Sequence, residues 1–288
     1  MLYPNPDMLL RIAQGDAFGM SCEFRKKNLE AALRFERYVR HPEWGPEAGC
    51  YTDDTQMSIA VARCILSRTL EREDFAHQFV LCYKRDPRPQ CYAQGFQSLL
   101  DSVWSGSELL RSVNPVSSKN GAAMRSVPLG VLPSPVEVMR VAEVQASITH
   151  DTYDGVLSSQ IVALASHYAL YQPGPLSELR PWLEGILDIM LLDWMGSPVK
   201  EPELGLATAR AVVTLLGKET SLLGIAETCL TWGGDTDSVL AIAWGIASAR
   251  MREALPPFFY DGLEDGVYGR VYLSNLGKVL MQEASSWR

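Results

Sequence analysis

A helix that is apolar on every side can only be housed inside a protein, and Val239-Leu-Ala-Ile-Ala-Trp-Gly-Ile-Ala247 is such a stretch. It is entered through Gly233-Gly234-Asp235-Thr236-Asp237-Ser238, so the turn that opens it carries two carboxylates and two hydroxyls towards a pocket rather than bulk water. A second junction of this kind, Thr52-Asp53-Asp54-Thr55, precedes Met57, Ala60, Val61, Cys64 and Ile65. Those residues recur at the spacing of one buried helical face. Helix caps favour Thr and Asp, but a cap accounts for one acid and not for two adjacent ones beside two threonines.

The rest of the chain reads as helix following helix. Residues 5–20 form a first helix that runs into Gly15-Asp16-Ala-Phe-Gly19 and on to Glu23; two glycines four apart let another backbone approach closely. A polar amphipathic helix is expected over Lys27–Arg40, then helices over Asp74–Tyr83 and Gln90–Trp104. Ser105–Pro135 is rich in Ser, Gly, Pro and Asn and has the composition of a linker. Within it, Ser117-Ser-Lys119-Asn120-Gly121-Ala122-Ala-Met124-Arg125 offers exposed backbone N–H groups at a helix start, a place where a phosphate can sit. Further helices are expected over Pro135–Ile148, Tyr153–Tyr171, Leu176–Leu192, Leu204–Leu216, Ser221–Thr231 and Val267–Glu283. His150 stands between two of them without a second His at ligand spacing, a weak zinc signal. No alternating strand pattern interrupts the series, so the class is all-α. The two acidic turns flank the Ser105–Pro135 segment, so cooperation between them requires a single domain over 1–288.

If the two corners meet, Asp53, Asp54, Asp235 and Asp237 share one pocket, with Asp16 and Glu23 nearby. Clustered carboxylates oppose joint ionisation, and a helix N-terminus offsets only about 0.3–1 kcal/mol of that. Bound cations or raised pKa values must supply the remainder. Carboxylate and hydroxyl oxygens suit magnesium, manganese or calcium rather than zinc or copper, and the number of acids allows two ions. The formal charge of −8 provides no basic excess for nucleic acid. No run approaches the roughly 20 apolar residues of a membrane span, no leader is visible at the N-terminus, and six cysteines without a C-x-x-C pair suggest reduced thiols in a cytoplasmic protein. Three classes meet these constraints: an isoprenoid diphosphate enzyme, a structural cation site and a metal-dependent hydrolase of a nucleotide-like substrate. The first needs D-D-x-x-D, and here Met57 holds the last position. The second has no use for a small-residue loop.

Four motifs in order, Gly15-Asp16-Ala-Phe-Gly19 to Glu23, Thr52-Asp53-Asp54-Thr55-Gln-Met57, Asn120-Gly121-Ala-Ala-Met124-Arg125 with Pro128-Leu-Gly130, and Gly233-Gly234-Asp235-Thr236-Asp237-Ser238, resemble those of the ADP-ribosylglycohydrolase family. Thr149-His150 matches a weaker fifth. The resemblance implies an orthogonal all-α fold around two magnesium ions, with manganese as an alternative, and an ADP-ribosyl hydrolase that releases ADP-ribose from a modified protein side chain, arginine before serine. It implies metal ligation by Thr52, Asp53, Asp54, Asp235, Asp237 and Ser238, catalysis by Glu23 or Asp54, and substrate contacts from Ser117, Lys119, Asn120, Gly121, Ala122, Met124 and His150. The expected partners are an ADP-ribosylated protein and the ADP-ribose product, the chain acting as a monomer away from membranes and nucleic acid. The alternative is a relative that binds ADP-ribose, or blocks a toxin, by occupancy alone. The chain departs from the family pattern at Lys119, where Gly is common, at Ser238, where Thr is commoner, and after Ala249, where Arg250-Met-Arg-Glu replaces small residues.

Overall fold

In the computed structural model, which describes residues 2–86, 91–200 and 204–287, Thr236–Ala247 is a helix with every residue buried. We call it the central helix. The opening helix, Met8–Gly19, lies along it, and its glycines set how closely. A Cβ on Gly15 would stand 2.6 Å from the Leu240 carbonyl oxygen, and one on Gly19 would stand 2.4 Å from that of Thr236. The Thr236 hydroxyl donates to the Gly19 carbonyl at 2.7 Å, which locks the end of one helix to the start of the other. Beside this seam Phe18 meets Trp244 and Phe259, at 6.4 and 5.0 Å between ring centroids, in the largest aromatic group of the core.

The second acidic turn opens Asp53–Ser67, whose residues Asp54–Ala62, Cys64 and Ile65 are buried. Around these helices pack Arg72–Arg85, Pro135–Ala146, Tyr153–Tyr171, Leu204–Lys218, Leu222–Trp232 and Arg270–Ser286. Among the described residues the architecture is helical throughout, with isolated bridges pairing Val116 with His150 and Val199 with Gly234. All six cysteines are free thiols, and Cys64 is in the core. No helix of the described residues is long and apolar enough to cross a membrane.

Several expected elements differ. The helix expected over Lys27–Arg40 is confined to a 3-10 turn at Lys26–Asn28 and a single turn, Leu29–Ala32. Phe35 then takes a left-handed conformation (φ 52°) that stacks its ring on Phe18 at 5.6 Å, so burial of Phe35 and Tyr38 prevails over helix continuation. The helix expected over Gln90–Trp104 spans Gln94–Ser102, Gln90 lying outside the described residues. Ser105–Pro135 is no linker. Ser105 caps Gly106–Ser112, Gly106 sits against the His77 backbone, and Ala122–Leu132 is buried. Its composition is that of a chain squeezed between helices, where small residues are required by close contact. The helix expected over Leu176–Leu192 stops at Leu187, where Asp188 turns left-handed. Arg250, outside the family pattern, has a structural use: it donates to the Tyr168, Ala169 and Gln172 carbonyls at the end of Tyr153–Tyr171.

Candidate metal centre and adjoining cleft

The first acidic corner is anchored to the opening helix by a third acid. Asp16, fully buried on the opening helix, accepts from the backbone N–H of Thr52 (3.0 Å) and Thr55 (3.1 Å) and from both hydroxyls (2.9 and 2.6 Å). It therefore caps the Asp53–Ser67 helix from another element, and Thr52 itself makes no side-chain cap. Burial raises the Asp16 carboxyl to about 6, with those four hydrogen bonds pulling the other way. Because Asp16 fixes the turn, Thr52 spends its proton inward and keeps its oxygen lone pairs free.

The other corner is shaped by two consecutive glycines with positive φ, Gly233 (77°) and Gly234 (87°). A Cβ on Gly234 would fall 2.1 Å from the Val199 carbonyl oxygen, and that same oxygen accepts from the Asp235 N–H at 3.0 Å. The Phe24 N–H donates to the Gly234 carbonyl at 2.7 Å, which brings the Glu23 segment alongside. As a result, one carboxylate oxygen from each of Glu23, Asp235 and Asp237 lies within 4.8 Å of the other two. Asp54 adjoins them beside Ser238, and Asp53 faces the neighbouring cleft.

Electrostatics here run uphill. Burial first, then repulsion by neighbouring acids, holds Asp53, Asp54 and Asp237 well above the ordinary carboxylate range. Burial, with Asp235 next, raises Glu23 to about 7. Burial also raises Asp235, opposed by the neighbouring Ser238 and Asp237 and by the hydrogen bond from the Asn120 amide. Oδ1 of Asp54, of Asp235 and of Asp237 is buried with no hydrogen-bond partner among the described residues. Buried orphan carboxylate oxygens are costly, and three aimed into one acidic pocket fit a hard divalent cation. A carboxyl whose folded pKa is raised stabilises the fold fully below its unfolded pKa and loses that contribution as pH rises through the folded value. The metal-free protein should therefore lose stability as pH rises from about 4 to about 7, the span set by Asp16 and Glu23. Thermal melts in chelator and in magnesium check this: the melting temperature gained on adding magnesium should be larger at pH 8 than at pH 5.5, and an equal gain at both would count against the reading.

Glu23 is partly exposed and held from outside. The Trp44 indole N–H donates to its Oε2 at 2.9 Å, and the Arg25 guanidinium lies 5.0 Å over the Trp44 ring. His41 Nδ1 accepts from the Glu43 and Trp44 N–H groups, which leaves Nε2–H to donate to the Glu23 carbonyl at 2.9 Å.

A cleft of about 550 Å³ adjoins the acids at Asp53, within the range of small-ligand sites. Ser117, Lys119, Asn120, Gly121, Met124 and His150 line it. Ala122 does not: its side chain is fully buried, and its carbonyl accepts from Ser126 and Gln145. Asn120 turns its amide to Asp235 Oδ2 at 3.1 Å, tying the loop to the acidic corner. The opposite wall, Tyr92, Phe96 and Leu99 with Met57, escapes sequence reasoning. Its spacing is that of any amphipathic helix, and only the fold shows that one end of that helix faces a cavity. Trp44 escapes it as well, since nothing in its loop marks it as a partner of Glu23.

A family model described as ADP-ribosylglycohydrolase matches residues 7–288. The chain is 33% identical over 173 residues to ADP-ribosylhydrolase ARH3 of Bos taurus, covering 54% of this chain and 47% of that protein. It is 30% identical over 148 residues to ADP-ribosyl-[dinitrogen reductase] glycohydrolase of Rhodospirillum rubrum, covering 49% of each. The chain thus spans about half the length of the curated relatives it matches. Among solved structures, an ADP-ribosylglycohydrolase-related protein complex superposes with a TM-score of 0.73 at 19% identity, over 98% of this chain and 100% of that one, and shares its fold.

Proposed function

Since the chain belongs to the ADP-ribosylglycohydrolase family, we propose that it hydrolyses the bond between the anomeric carbon of ADP-ribose and a modified protein side chain, acting as one domain in the cytoplasm. The observation that carries this reading is the set of three orphan carboxylate oxygens, on Asp54, Asp235 and Asp237, beside a cleft large enough for a nucleotide sugar. Thr52, Asp53, Asp54, Asp235, Asp237 and Ser238 would hold two magnesium ions, manganese being the alternative. Bound there, the ions supply polarisation of ribose oxygens and positioning of water.

The chain's own groups do the rest. Ser117, Lys119 and Gly121 meet the diphosphate from one side, and Tyr92, Phe96 and Leu99 give its organic portion an apolar wall. Water adds to the anomeric carbon as the bond to the side-chain heteroatom breaks through an oxocarbenium-like transition state. Glu23, beside Asp235 and Asp237, takes or gives the proton, with Asp54 as the second candidate. An arginine linkage is favoured by the acidic cluster of Glu23, Asp235 and Asp237 and by the Trp44 ring beside Glu23, which already carries one guanidinium, that of Arg25.

Glu23→Gln should lower kcat by about 10²-fold or more while leaving ADP-ribose affinity within a few-fold. Equal kcat values would remove Glu23 from the chemistry. The reading as a whole is tested with peptides ADP-ribosylated at Arg, Ser, Asp/Glu or Cys, incubated with and without magnesium. Magnesium-dependent release from the Arg peptide is expected. Release from none, with ADP-ribose still bound, would leave only an occupancy role.

A further inference from the structure

Arg125 is a buried cation without a carboxylate. It is 1% exposed, and among the described residues no acid lies within ion-pair distance of it. Its guanidinium lies 4.5 Å over the Phe79 ring. Nε donates to Gln145 Oε1, and Nη2 donates to the Gln145 carbonyl (3.0 Å) and to Thr149 Oγ1 (2.9 Å). Gln145 cannot flip, because its Nε2 donates to the Ala122 carbonyl, which only accepts. Burial of a guanidinium whose hydrogen-bond partners are all neutral is expensive; Asp53 acts on it only from a distance, and Arg125 lies at the wall of the cleft beside Thr149 and His150.

The expense makes sense one bond further on. Arginine has only donors, so Thr149 Oγ1 is an acceptor towards Arg125. That hydroxyl also lies 2.7 Å from His150 Nδ1. If Nδ1 carried a proton, Oγ1 would accept from both neighbours and its own proton would have no acceptor among the described residues. If Nδ1 is bare, the hydroxyl proton goes to it, and Arg125, Thr149 and Nδ1 are all satisfied, with only the Nε2–H left for a ligand. The satisfied arrangement is the tautomer with hydrogen on Nε2. Burial, and then Arg125 itself, also hold the imidazole neutral, its pKa lowered to about 3.

Nε2 has no hydrogen-bond partner among the described residues, and it faces the cleft loop: a Cβ on Gly121 would sit 2.8 Å from His150 Cε1 and 3.1 Å from Nε2. Both residues line the cleft. We propose that Arg125 is a positioning residue that acts through Thr149 to fix His150 as the Nε2–H tautomer, so that the cleft presents one preset N–H donor to a ribose or phosphate oxygen of its ligand. The identity of the ligand rests on the ADP-ribosyl reading above; the tautomer does not.

The test separates the two. Long-range ¹H–¹⁵N spectra of the ¹⁵N-labelled full chain resolve its four histidines, and His150→Gln assigns the relevant one. The free wild-type protein should show the Nε2–H pattern at His150. Thr149→Val, which removes the hydroxyl but keeps the shape, should give mixed tautomers and weaken ADP-ribose binding about 3–10-fold, the worth of one hydrogen bond. Thr149→Ser should restore the wild-type spectrum and bring the affinity to within about twofold of it. A wild-type Nδ1–H pattern overturns the proposal without any variant, as does Thr149→Val with unchanged spectrum and affinity. Titration with ADP-ribose, ADP and ribose 5-phosphate tells a ribose acceptor from a phosphate one. Failure of wild type to bind any of the three overturns the ligand half together with the functional reading, and the spectrum still decides the relay.

Discussion

Asp237→Asn should make the metal-free protein more stable and the enzyme nearly inactive. The Asp237 carboxyl is fully buried against Glu23, Asp235, Asp54 and Asp16, all of the same sign, and its pKa is raised well above the usual range by burial and by that repulsion. Asparagine keeps the shape and removes the charge. Without metal the change relieves repulsion, and each kcal/mol recovered should raise the melting temperature by about 2–4 °C. With metal the same change takes the negative charge from a ligand whose Oδ1 now has no partner and leaves a neutral amide in its place. The magnesium-induced stabilisation, about 2.7 kcal/mol for wild type at a hundredfold excess over Kd, should largely vanish, and with it the rise in melting temperature. Turnover should fall by about 10³-fold, since polarisation by a bound cation supplies several kcal/mol in the transition state. The combination matters: a variant stabilised in chelator, unresponsive to magnesium and inactive is what a metal-holding carboxylate produces. Destabilisation in chelator with an intact magnesium response would mean that Asp237 is a structural acid.

The second large effect is expected far from any charge, at Gly19→Ala. The added methyl would stand 2.4 Å from the Thr236 carbonyl oxygen, 2.6 Å from the Asp237 Cα and 2.7 Å from the Asp237 backbone nitrogen. These are backbone atoms at the start of the central helix and have no rotamer by which to yield. Overpacking of this kind costs about 1–3 kcal/mol or more. Here the strain relaxes by pushing the opening helix away from the central one, which moves Asp16 and the Thr52–Thr55 turn relative to Asp235 and Asp237. Magnesium affinity and turnover should both fall by at least about tenfold, since even supporting residues of a metal site are worth 10–100-fold. Gly185→Ala is the control: an alanine there meets nothing within 4 Å on the Leu179–Leu187 helix, so stability should rise by about 0.5–1 kcal/mol with activity unchanged. Wild-type magnesium affinity in folded Gly19→Ala would show that the helix seam does not set the site.

The two glycines also show where sequence and structure divide the information. That Val239–Ala247 is interior, that two acidic turns open helices and that the chain is all-α were legible, because a period of 3.6 and a fully apolar run have one low-energy use each. The acids at both corners were legible as a charge problem that bound cations or raised pKa values must relieve. What periodicity could not assign was direction. Asp16 reads as one more acid beside Glu23, yet only packing shows that it turns to cap Thr52–Thr55 while Glu23 stands between Trp44 and the carboxylates of Asp235 and Asp237. Ser105–Pro135 reads as a linker, because the small residues needed where backbones touch are the same ones that make loops flexible. Tyr92, Phe96 and Gln145 carry no local mark, and the motif that ends on Arg125 does not reveal what Arg125 touches, since each gains its role from a neighbour elsewhere in the chain. The one-dimensional pattern fixed what must be buried and what must be neutralised; which side chain faces which was decided by the close approach of helices that only the folded chain provides.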